Sequence, residues 1–575
     1  MAIFSIERLS FALLTALVMA STTIAFAAKG DFDRKSLWNW DDYRNVPFDV
    51  ETVSTRDDNG YRVSEIYFTS EQTPNGPNRI FCAYARPIKP SKPVPALIMI
   101  HGGGGHSDTP GALWAAQTFK CAVIHVDWSG ESIPGPLHST KWRSGSTTPS
   151  TMTPTPRSNL IYHIVLALHR ALDFMSQQPE VDMSKVASFG GSWGGYLSLM
   201  LAGTDSRVGC VMSAFGAGGW EKSRSGLSKG IEQLPKDQKA QWFELFDAMS
   251  YAKQTKAAVL MTTSANDHYF WQGGLMEHYQ KLPGKKHLVI APNGDHGTGG
   301  PRWTDAAWPW VKQFFEGNDE FPEVDPGSFN RKGNTYSWIA QGTKPIKNAI
   351  LYFSPGKLDW PSRYWIEVPA HQQGNKWEAD LPEEFASMTG EAYATVFDDD
   401  GMPCSSVTIS NKGIDPFTQP VALWPGDNLW DKARGADAWR TYIHEPLNVM
   451  SQPSGAFTIG PGDAKTHFTA VTDSVILASA RAQDFSGIRI ILNVEKEAGI
   501  LHLRLCRYTR SNREQTYTAE INYKPGKETF NLPWSSFTPA AGANPKPYPF
   551  DGLVLEGARS DGSPITVESL ELMPK

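Results

Sequence analysis

Short apolar runs alternate with amphipathic stretches between residues 61 and 300. Strand-like runs occupy residues 79–85, 96–100, 121–126, 185–189, 208–213, 257–261 and 287–291. The clearest helical pattern covers residues 160–175, where apolar side chains recur at steps of three and four. Strands that alternate with helices predict a mostly parallel sheet, covered by helices on both faces.

The pattern changes after residue 318. Residues 318–328 are acidic and rich in Pro and Gly, which is typical of a linker, and a second Pro-rich break covers residues 412–428. The runs beyond each break are short and strand-like, without a helical period. We therefore predict an α/β domain over residues 28–320, an Ig-like β-sandwich over 328–412 and a jelly-roll-like domain over 426–575.

The N-terminus resembles an export signal. Arg8 precedes an apolar run at residues 9–20, and Ala25-Phe26-Ala27 provides a small-residue cleavage pattern. This arrangement predicts a signal peptide over residues 1–27 and a secreted or periplasmic protein. The alternative, an uncleaved membrane anchor, is disfavoured because the run is short for a span of about 20 residues.

Composition narrows the functional classes. A length of 575 residues predicts several domains, and a net charge of -6 gives no reason to expect nucleic acid or an anionic membrane as a partner. The five cysteines are scattered and include no C-x-x-C pair, so we expect mostly buried thiols, although export would permit one or two disulfides. No metal site and no organic cofactor is predicted.

Two segments match the pattern G-x-S-x-G, at Ser192 and at Ser228. A nucleophilic serine of this type needs a strand before it and a helix after it, because the sharp turn presents its hydroxyl at the edge of the sheet. Ser192 follows the strand-like run 185–189 and precedes the helical run 196–202, whereas Ser228 lies in a polar segment. We therefore predict Ser192 as the nucleophile and treat Ser228 as a chance match.

A base and an orienting acid follow in the order that α/β-hydrolases use. His296 and Asp267 each come shortly after a predicted strand, where this kind of sheet assembles its site. Asp295 competes with Asp267 for the acid role, but its position next to His296 makes an aligned carboxylate–imidazole bond harder to form. His268 is expected to lie at the surface or to line the pocket.

The glycine run after the strand at 96–100 is a candidate oxyanion loop. Gly103 and Gly104 are favoured as backbone donors, and the N–H of Trp193 is expected to be the second donor. A phosphate-binding loop is the alternative, but no G-K-[ST] follows the glycines. Four aromatic residues adjoin these positions and are candidates for substrate binding: Trp128, Tyr269, Phe270 and Trp271. Residues 219–251 lie between two predicted strands and are expected to form a lid.

These segments resemble known families. HGGGGH, VDWSGE, SQQPEVD and GGSWGG are similar to the dienelactone hydrolase, acetylxylan esterase and prolyl oligopeptidase branch of the α/β-hydrolase superfamily. The stretch from ANDHYFW to NGDHG is also similar to the PhoPQ-activated pathogenicity-related family. Dienelactone hydrolases of this branch use a cysteine nucleophile, so Ser192 argues against that activity. The closing segment FDGLVLEGARSDGSPITVESLEL resembles carbohydrate-binding jelly rolls, which implies that Trp430, Trp439 and Trp534 stack on sugars or fill the core.

The sequence therefore predicts a secreted serine carboxylic ester hydrolase with the triad Ser192, His296 and Asp267. Its expected substrate is an ester carried by a polysaccharide, with acetyl or feruloyl as the acyl group. One alternative is a serine peptidase of the prolyl oligopeptidase type, although no propeller precedes the α/β region. A second alternative is a non-catalytic carbohydrate-binding protein built on a hydrolase scaffold.

Overall fold

The structure is a computed structural model. The described residues are 32–128, 138–139, 148–223, 226–294, 296–297, 306–318, 320–357, 360–413, 440–441, 447–451, 456–461, 466–472, 475, 482, 484–507, 515–543, 545–548, 550 and 552–575. The predicted signal peptide at residues 1–27 lies outside them, as do Asp295, Trp430 and Trp439.

Residues 51–291 form one mixed sheet. Its strands are β1 Glu51–Asp58, β2 Tyr61–Thr73, β3 Gly76–Pro87, β4 Val94–Ile100, β5 Ala122–Val126, β6 Val181–Gly191, β7 Val208–Ala214, β8 Ala258–Ser264 and β9 Lys286–Ala291. They lie in the order β1-β2-β3-β5-β4-β6-β7-β8-β9. Strands β4 to β9 run parallel, and β1 to β3 extend one edge through antiparallel pairs.

Helices accompany the strands of this sheet: two precede β1, one follows β9, and the others lie between strands. They are α1 Arg34–Leu37, α2 Asp41–Arg44, α3 Thr109–Phe119, α4 Leu160–Ser176, α5 Trp193–Thr204, α6 Gly226–Glu232, α7 Lys236–Phe246, α8 Gln272–Lys281 and α9 Ala307–Glu316. Helix α4 matches its sequence pattern, and the side chain of Asn159 caps it by accepting from the Ile161 N–H at 2.8 Å. All of β5 is buried, which requires cover on both faces of the sheet.

A first β unit covers residues 323–411. Its strands are β10 Glu323–Val324, β11 Asn330–Lys332, β12 Thr335–Gln341, β13 Ile346–Pro355, β14 Ile366–Pro369, β15 His371–Gln373, β16 Lys376–Asp380, β17 Gly390–Asp398, β18 Pro403–Ser405 and β19 Ile409–Asn411. Two five-stranded sheets, one centred on β12 and β16 and the other on β13 and β17, share a core that includes Trp338, Leu351 and Trp377.

Two details of this unit differ from the sequence prediction. Residues 323–324 belong to the predicted linker, yet they pair with β12 as strand β10. A single helical turn, α10 Glu383–Ala386, interrupts the strands where no helix was predicted. Neither element is long enough to give a periodic hydrophobic signal, which explains why the sequence pattern missed both.

A second β unit covers residues 440–573. Its strands are β20 Arg440–Thr441, β21 Leu447–Ser451, β22 Phe457–Pro461, β23 His467–Thr472, β24 Gly487–Val494, β25 Gly499–Arg507, β26 Gln515–Tyr523, β27 Gly526–Pro533, β28 Thr538–Pro539, β29 Gly552–Ala558 and β30 Ile565–Met573. A six-stranded and a five-stranded sheet share a core that includes Ile490, Leu503 and Leu570.

The two β units relate differently to the α/β domain. Ile350, Tyr352, Trp365, Tyr393 and Phe397 of the first unit belong to the same buried cluster as the large mixed sheet. The described core of the second unit contains only its own residues, from Phe457 to Leu572. The first unit is therefore packed onto the α/β domain through a continuous apolar core, and the second has a core of its own.

The cysteines are buried free thiols, as the sequence suggested, at positions 82, 121, 210, 404 and 506. Burial raises the pKa of the Cys82 thiol well above its usual value, which keeps this side chain protonated and unreactive. Within the described ranges, no helix is both long enough and apolar enough to cross a membrane.

Candidate active site

Ser192 occupies the sharp turn between β6 and α5. Strand β6 ends at Gly191 and helix α5 begins at Trp193, so Ser192 is the N-cap residue, with φ 57° and ψ -122°. Its backbone N–H donates to the Ala214 carbonyl on the neighbouring strand β7 at 2.8 Å. A positive φ is rare for a residue with a side chain, and this strained turn presents the serine hydroxyl at the carboxyl edge of the sheet.

The glycines around Ser192 are there because the turn has no room for side chains. A Cβ on Gly194 would lie 2.0 Å from the Ile100 carbonyl oxygen, and one on Gly190 would lie 2.3 Å from the Gly194 carbonyl carbon. Strand β4, strand β6 and helix α5 can therefore approach each other only through glycine. The run GGSWGG encodes this close packing.

His296 connects Ser192 to Asp267. The distance from His296 Nε2 to Ser192 Oγ is 2.8 Å, and the distance from His296 Nδ1 to Asp267 Oδ2 is also 2.8 Å. The Asp267 side chain is fully buried, whereas 17% of the His296 side chain is exposed. This arrangement lets the imidazole exchange protons with a ligand while a carboxylate fixes its orientation.

The carboxylate of Asp267 is held in place by its own backbone turn. Its Oδ1 atom accepts hydrogen bonds from the N–H groups of Tyr269 and Phe270, at 2.8 and 2.9 Å. Its Oδ2 atom remains directed at the imidazole of His296. The loop after β8 therefore aims one oxygen of Asp267 at His296 and keeps it there.

Four aromatic rings surround the imidazole of His296, and one of them belongs to the half-buried His268, whose ring makes an edge contact at a centroid distance of 5.9 Å. Phe215 and Tyr269 make edge contacts with it, at centroid distances of 5.0 and 4.8 Å, and Phe270 lies roughly parallel to it at 6.1 Å. Phe215 has φ 40° and follows strand β7, at a position that the sequence interpretation did not single out. The only sequence signal for it is its place directly after a predicted strand.

The glycine loop lies beside Ser192. A Cβ on Gly102 would be 3.4 Å from Ser192 Cβ, and a Cβ on Gly103 would be 3.0 Å from Trp193 Cδ1. A Cβ on Gly104, which has φ +75°, would meet nothing within 4 Å. Of the two predicted loop donors, Gly103 is thus the one that lies next to the serine turn, and Gly102, which the sequence analysis did not single out, also adjoins it.

Trp128 packs behind the glycine loop. Its indole stacks on the His101 ring at a centroid distance of 4.9 Å, and its Nε1–H donates to the His101 carbonyl at 2.8 Å. Trp128 is 7% exposed. Its contacts with His101 support the start of the glycine loop, and little of its surface is accessible to a ligand.

His125, on strand β5, contacts the first turn of the helix that follows the glycine loop. The Asp108 N–H donates to Nδ1 of His125 at 3.0 Å. Burial, with a smaller contribution from nearby His101, lowers the pKa of His125 to about 4. The imidazole therefore remains an uncharged acceptor at neutral pH and fixes the start of α3.

The other predicted substrate residues divide by exposure. Phe270 is 3% exposed and packs against Trp220, while Tyr269 is 36% exposed beside His296. Trp271 is half-buried, and its Nε1–H donates to the His268 carbonyl at 3.2 Å. Tyr269 therefore presents an exposed ring beside His296 and Trp271 a half-buried one, whereas Phe270 is enclosed by its neighbours.

Residues 219–251, the predicted lid, pack onto the α/β core where they are described. Trp220 and Trp242 are buried, and the Asp247 carboxylate accepts from the N–H groups of Gly219, Trp220 and Met249. Burial raises the pKa of Asp247 to about 6. Ser228 lies on helix α6 and is 2% exposed, away from any strand-to-helix turn of the kind that holds Ser192.

Two asparagines adjoin the acid and the base, one fully buried (Asn266) and one half-buried (Asn293). Asn266 directly precedes Asp267, and Asn293 lies three residues before His296. Both side chains bond to backbone atoms of the first β unit. Sequence reasoning missed them because their partners lie about 70 to 100 positions further along the chain. Within the described residues, no group of three or more His, Cys, Asp or Glu is arranged to hold a metal ion.

Two family models match overlapping parts of the chain. The model of the acetyl xylan esterases matches residues 27–216, and that of the prolyl oligopeptidase family matches residues 168–318. Together they span the mixed sheet with Ser192, Asp267 and His296. They confirm the resemblance to these α/β-hydrolases that the sequence segments indicated.

Individual proteins show similarity over shorter stretches or at low identity. Acetyl esterase Axe7A of Xylanibacter ruminicola is 27% identical over 143 residues, which are 24% of this chain and about a third (33%) of that protein. An acetyl xylan esterase from Paenibacillus sp. R4 aligns with 51% of this chain and 96% of its own, at 22% identity and a TM-score of 0.42. Acetyl Xylan Esterase 1 from Thermoanaerobacterium sp. aligns with 49% of this chain and 93% of its own, at 22% identity and a TM-score of 0.42.

Proposed function

We propose that this protein is a serine carboxylic ester hydrolase of the α/β-hydrolase superfamily. The hydrogen-bonded chain from Ser192 through His296 to Asp267, with its two contacts of 2.8 Å, carries this proposal. A serine in a strained strand-to-helix turn, a half-buried imidazole and a buried carboxylate are the parts that acyl transfer requires.

The proposed reaction forms and then breaks an acyl-enzyme. His296 Nε2 takes the proton of Ser192 Oγ as that oxygen attacks the acyl carbon, and it then donates the proton to the departing alkoxide. Water, deprotonated by the same imidazole, attacks the acyl carbon, and the imidazolium then returns that proton to the departing Ser192 Oγ, which releases a carboxylic acid and free Ser192. Asp267 stays ionised throughout and stabilises the imidazolium that forms twice in each cycle.

Backbone N–H groups are proposed to hold the oxyanion. Trp193 is the first residue of helix α5, where N–H groups have no partner within the helix and the helix dipole favours negative charge. Gly103 is the better supported second donor, since it adjoins Trp193, while Gly104 has no close neighbour on its Cβ side. Loss of one such donor costs about 10²–10³ in rate in other serine hydrolases.

The proposed substrate is an acyl ester carried by a polysaccharide, with acetyl or feruloyl as the acyl group. The acetyl xylan esterase model and the acetyl esterase relative support this class. The exposed ring of Tyr269 and the half-buried Trp271 offer apolar surface beside His296 for either a sugar or an acyl group.

The remaining assignments are also proposals. The sequence segment at residues 1–27 supports export to the periplasm or the medium, with no membrane partner after cleavage. We assign an Ig-like type to the first β unit and a jelly-roll-like, sugar-binding type to the second. Trp534 contacts Phe537 and Tyr548 and donates to the Phe485 carbonyl at 2.9 Å, which suits a structural role for this residue.

A serine peptidase is the second candidate, because the prolyl oligopeptidase model matches residues 168–318. The same triad can cleave amides, and the choice of bond depends on how the leaving group is bound. This candidate predicts cleavage of peptidyl amides at rates comparable to those for esters.

A side-by-side substrate comparison separates the candidates. Purified protein is incubated with acetylated xylan, feruloylated arabinoxylan and proline-containing peptidyl amides, with Ser192→Ala as the blank. We expect acid release from at least one polysaccharide ester, with kcat/KM at least about 100-fold above that for the amides. Amide cleavage that equals or exceeds ester cleavage would favour the peptidase.

A further inference from the structure

A turn of the first β unit lies against the loop that carries Asp267. The Asn266 side chain is fully buried, and its Nδ2 faces the carbonyl oxygens of Trp360 at 3.2 Å, Pro361 at 3.4 Å and Arg363, which is closer still. Asn266 is adjacent to Asp267 in the chain, so a shift of this turn moves the backbone that supports the carboxylate.

The same turn also holds the loop that carries His296. Asn293 Nδ2 donates to the Trp365 carbonyl at 2.8 Å, and the Trp365 N–H donates to Asn293 Oδ1 at 2.8 Å. The Asn293 side-chain amide and the Trp365 backbone thus form a pair of hydrogen bonds like that between two residues of adjacent β-strands. This pair holds Asn293, which has φ 52°, in place. The Asn266 N–H donates to the Gly294 carbonyl at 3.2 Å, which ties the two catalytic loops to each other.

The turn at residues 360–365 is held firmly within the first β unit. Trp365 is fully buried, lies parallel to Trp360 at 6.2 Å and makes an edge contact with Tyr393 at 5.0 Å. The Arg363 guanidinium lies 4.9 Å from the centroid of the Trp360 ring. Tight packing of this kind resists small displacements, so the turn offers the catalytic loops a fixed support.

We infer that Asn266 and Asn293 are positioning residues that make the first β unit part of the active site. They act through Asp267 and His296, and neither is assigned a contact with substrate. The inference rests on the proposed function, because it concerns the alignment of that acid and base. A displacement of about 1 Å in a catalytic group can cost about 10²-fold in rate, so the support given by residues 360–365 has kinetic consequences.

Two variants test the inference, with one matched control. Asn293→Gly removes both side-chain bonds to Trp365, while glycine tolerates the backbone at φ 52°. Asn266→Ala removes the contacts with the carbonyls at residues 360–363. The control is Ser405→Ala, which removes the 3.0 Å hydrogen bond from the Ile290 N–H to Ser405 Oγ. This bond joins the same two units, but it connects strand β9 to strand β18 and lies outside the loops of Asp267 and His296.

The readouts are kcat, KM and the pH profile for p-nitrophenyl acetate, together with the rate at which a fluorophosphonate labels Ser192. We expect kcat and the labelling rate to fall about 10- to 100-fold in Asn293→Gly and Asn266→Ala, with KM within about twofold of wild type. The acid limb of the kcat/KM profile moves to lower pH, because the imidazolium loses its aligned carboxylate. Ser405→Ala lowers the melting temperature but keeps kcat and the pH profile.

Three results would count against the inference. Wild-type kcat and labelling in both asparagine variants would overturn it and leave the proposed function intact. A fall in kcat that Ser405→Ala reproduces in proportion to melting temperature, with an unmoved pH profile, would assign the asparagines to folding alone. If the fluorophosphonate fails to label the wild-type protein, both proposals are overturned. If it labels the protein but no ester is hydrolysed, only the ester substrate is ruled out, and the labelling rates of the variants still decide the inference.

Discussion

At the scale of single residues, the chemistry depends on where strands end. Asp267 and His296 each follow a strand by a few positions, and the sequence pattern locates those strands from their apolar runs. The structure brings His296 to Ser192 and Asp267 to His296, at the distances that acid–base chemistry needs. Asn266 and Asn293 stand in the same loops but escaped prediction, because an asparagine near a strand end usually indicates a turn.

Buried histidines make stability depend on pH. His278 is 1% exposed, its Nδ1 accepts from the Gly218 N–H at 2.9 Å, and burial lowers its pKa to about 3. In the unfolded chain a histidine has a pKa of about 6.5. Between pH 3 and pH 6.5 the unfolded chain therefore binds a proton at His278, whereas the folded protein does not. Its contribution to stability is therefore complete above pH 6.5 and is lost as the pH falls toward 3.

The variant His278→Asn should reduce this pH dependence. Asparagine keeps an acceptor for Gly218 but does not titrate, so the variant avoids a loss of about 2 kcal/mol between pH 7 and pH 5. Urea unfolding of both proteins at the two pH values measures the difference. Asp247, whose raised pKa acts in the opposite direction, is common to both proteins and cancels. Equal pH dependence in the two proteins would refute the assignment to His278.

At the scale of elements, the strands and the amphipathic helix were predictable from the sequence, whereas the side-chain contacts that support the loops of the site were not. Helix α4 ends within one residue of its predicted boundary, because a stripe of apolar positions extends along its whole length. Trp128 was predicted to bind substrate from its place after a strand, but it lies buried beneath the glycine loop. Position along the chain located the element correctly, while tertiary contacts determined which way the side chain faces.

Trp128→Phe tests whether this residue supports the loop or touches substrate. The variant keeps a ring next to His101 but loses the hydrogen bond to the His101 carbonyl, at a cost of about 1 kcal/mol. We expect a lower melting temperature and a kcat reduced about tenfold, because the glycine loop proposed to carry an oxyanion donor shifts but keeps its N–H groups, with little change in KM. Steady-state kinetics beside Trp271→Phe, where KM should change, provide the comparison. A raised KM with unchanged kcat in Trp128→Phe would instead make it a substrate contact.

At the scale of the whole molecule, the two β units should respond differently to removal. Five large side chains of the first unit lie in the core of the α/β domain, and burial of each contributes about 1.5–3 kcal/mol. Their sum is comparable to the net stability of a typical domain. The described core of the second unit is separate. Composition alone could not distinguish these cases, since both units look like β-sandwiches in sequence.

A chain that ends at Gly413 should therefore fold and keep its catalysis. We expect kcat/KM for p-nitrophenyl acetate within about twofold of the full chain, because the site and its supporting turn remain. A chain that ends at Gly317 should aggregate, because it exposes the apolar surface that the first β unit covers. Soluble expression, melting temperature and activity of the two chains measure this. A soluble and fully active chain ending at Gly317 would contradict the shared core.

The central claim is that Ser192 attacks the acyl carbon. The chain offers its own control, because Ser228 has the same local sequence pattern but lies buried on helix α6 rather than in a strand-to-helix turn. Hydrolysis of p-nitrophenyl acetate by wild type, Ser192→Ala and Ser228→Ala, each checked for an unchanged melting temperature, gives the most direct test. We predict a kcat about 10⁴- to 10⁶-fold lower in Ser192→Ala alone. Equal activity in wild type and Ser192→Ala would contradict the account.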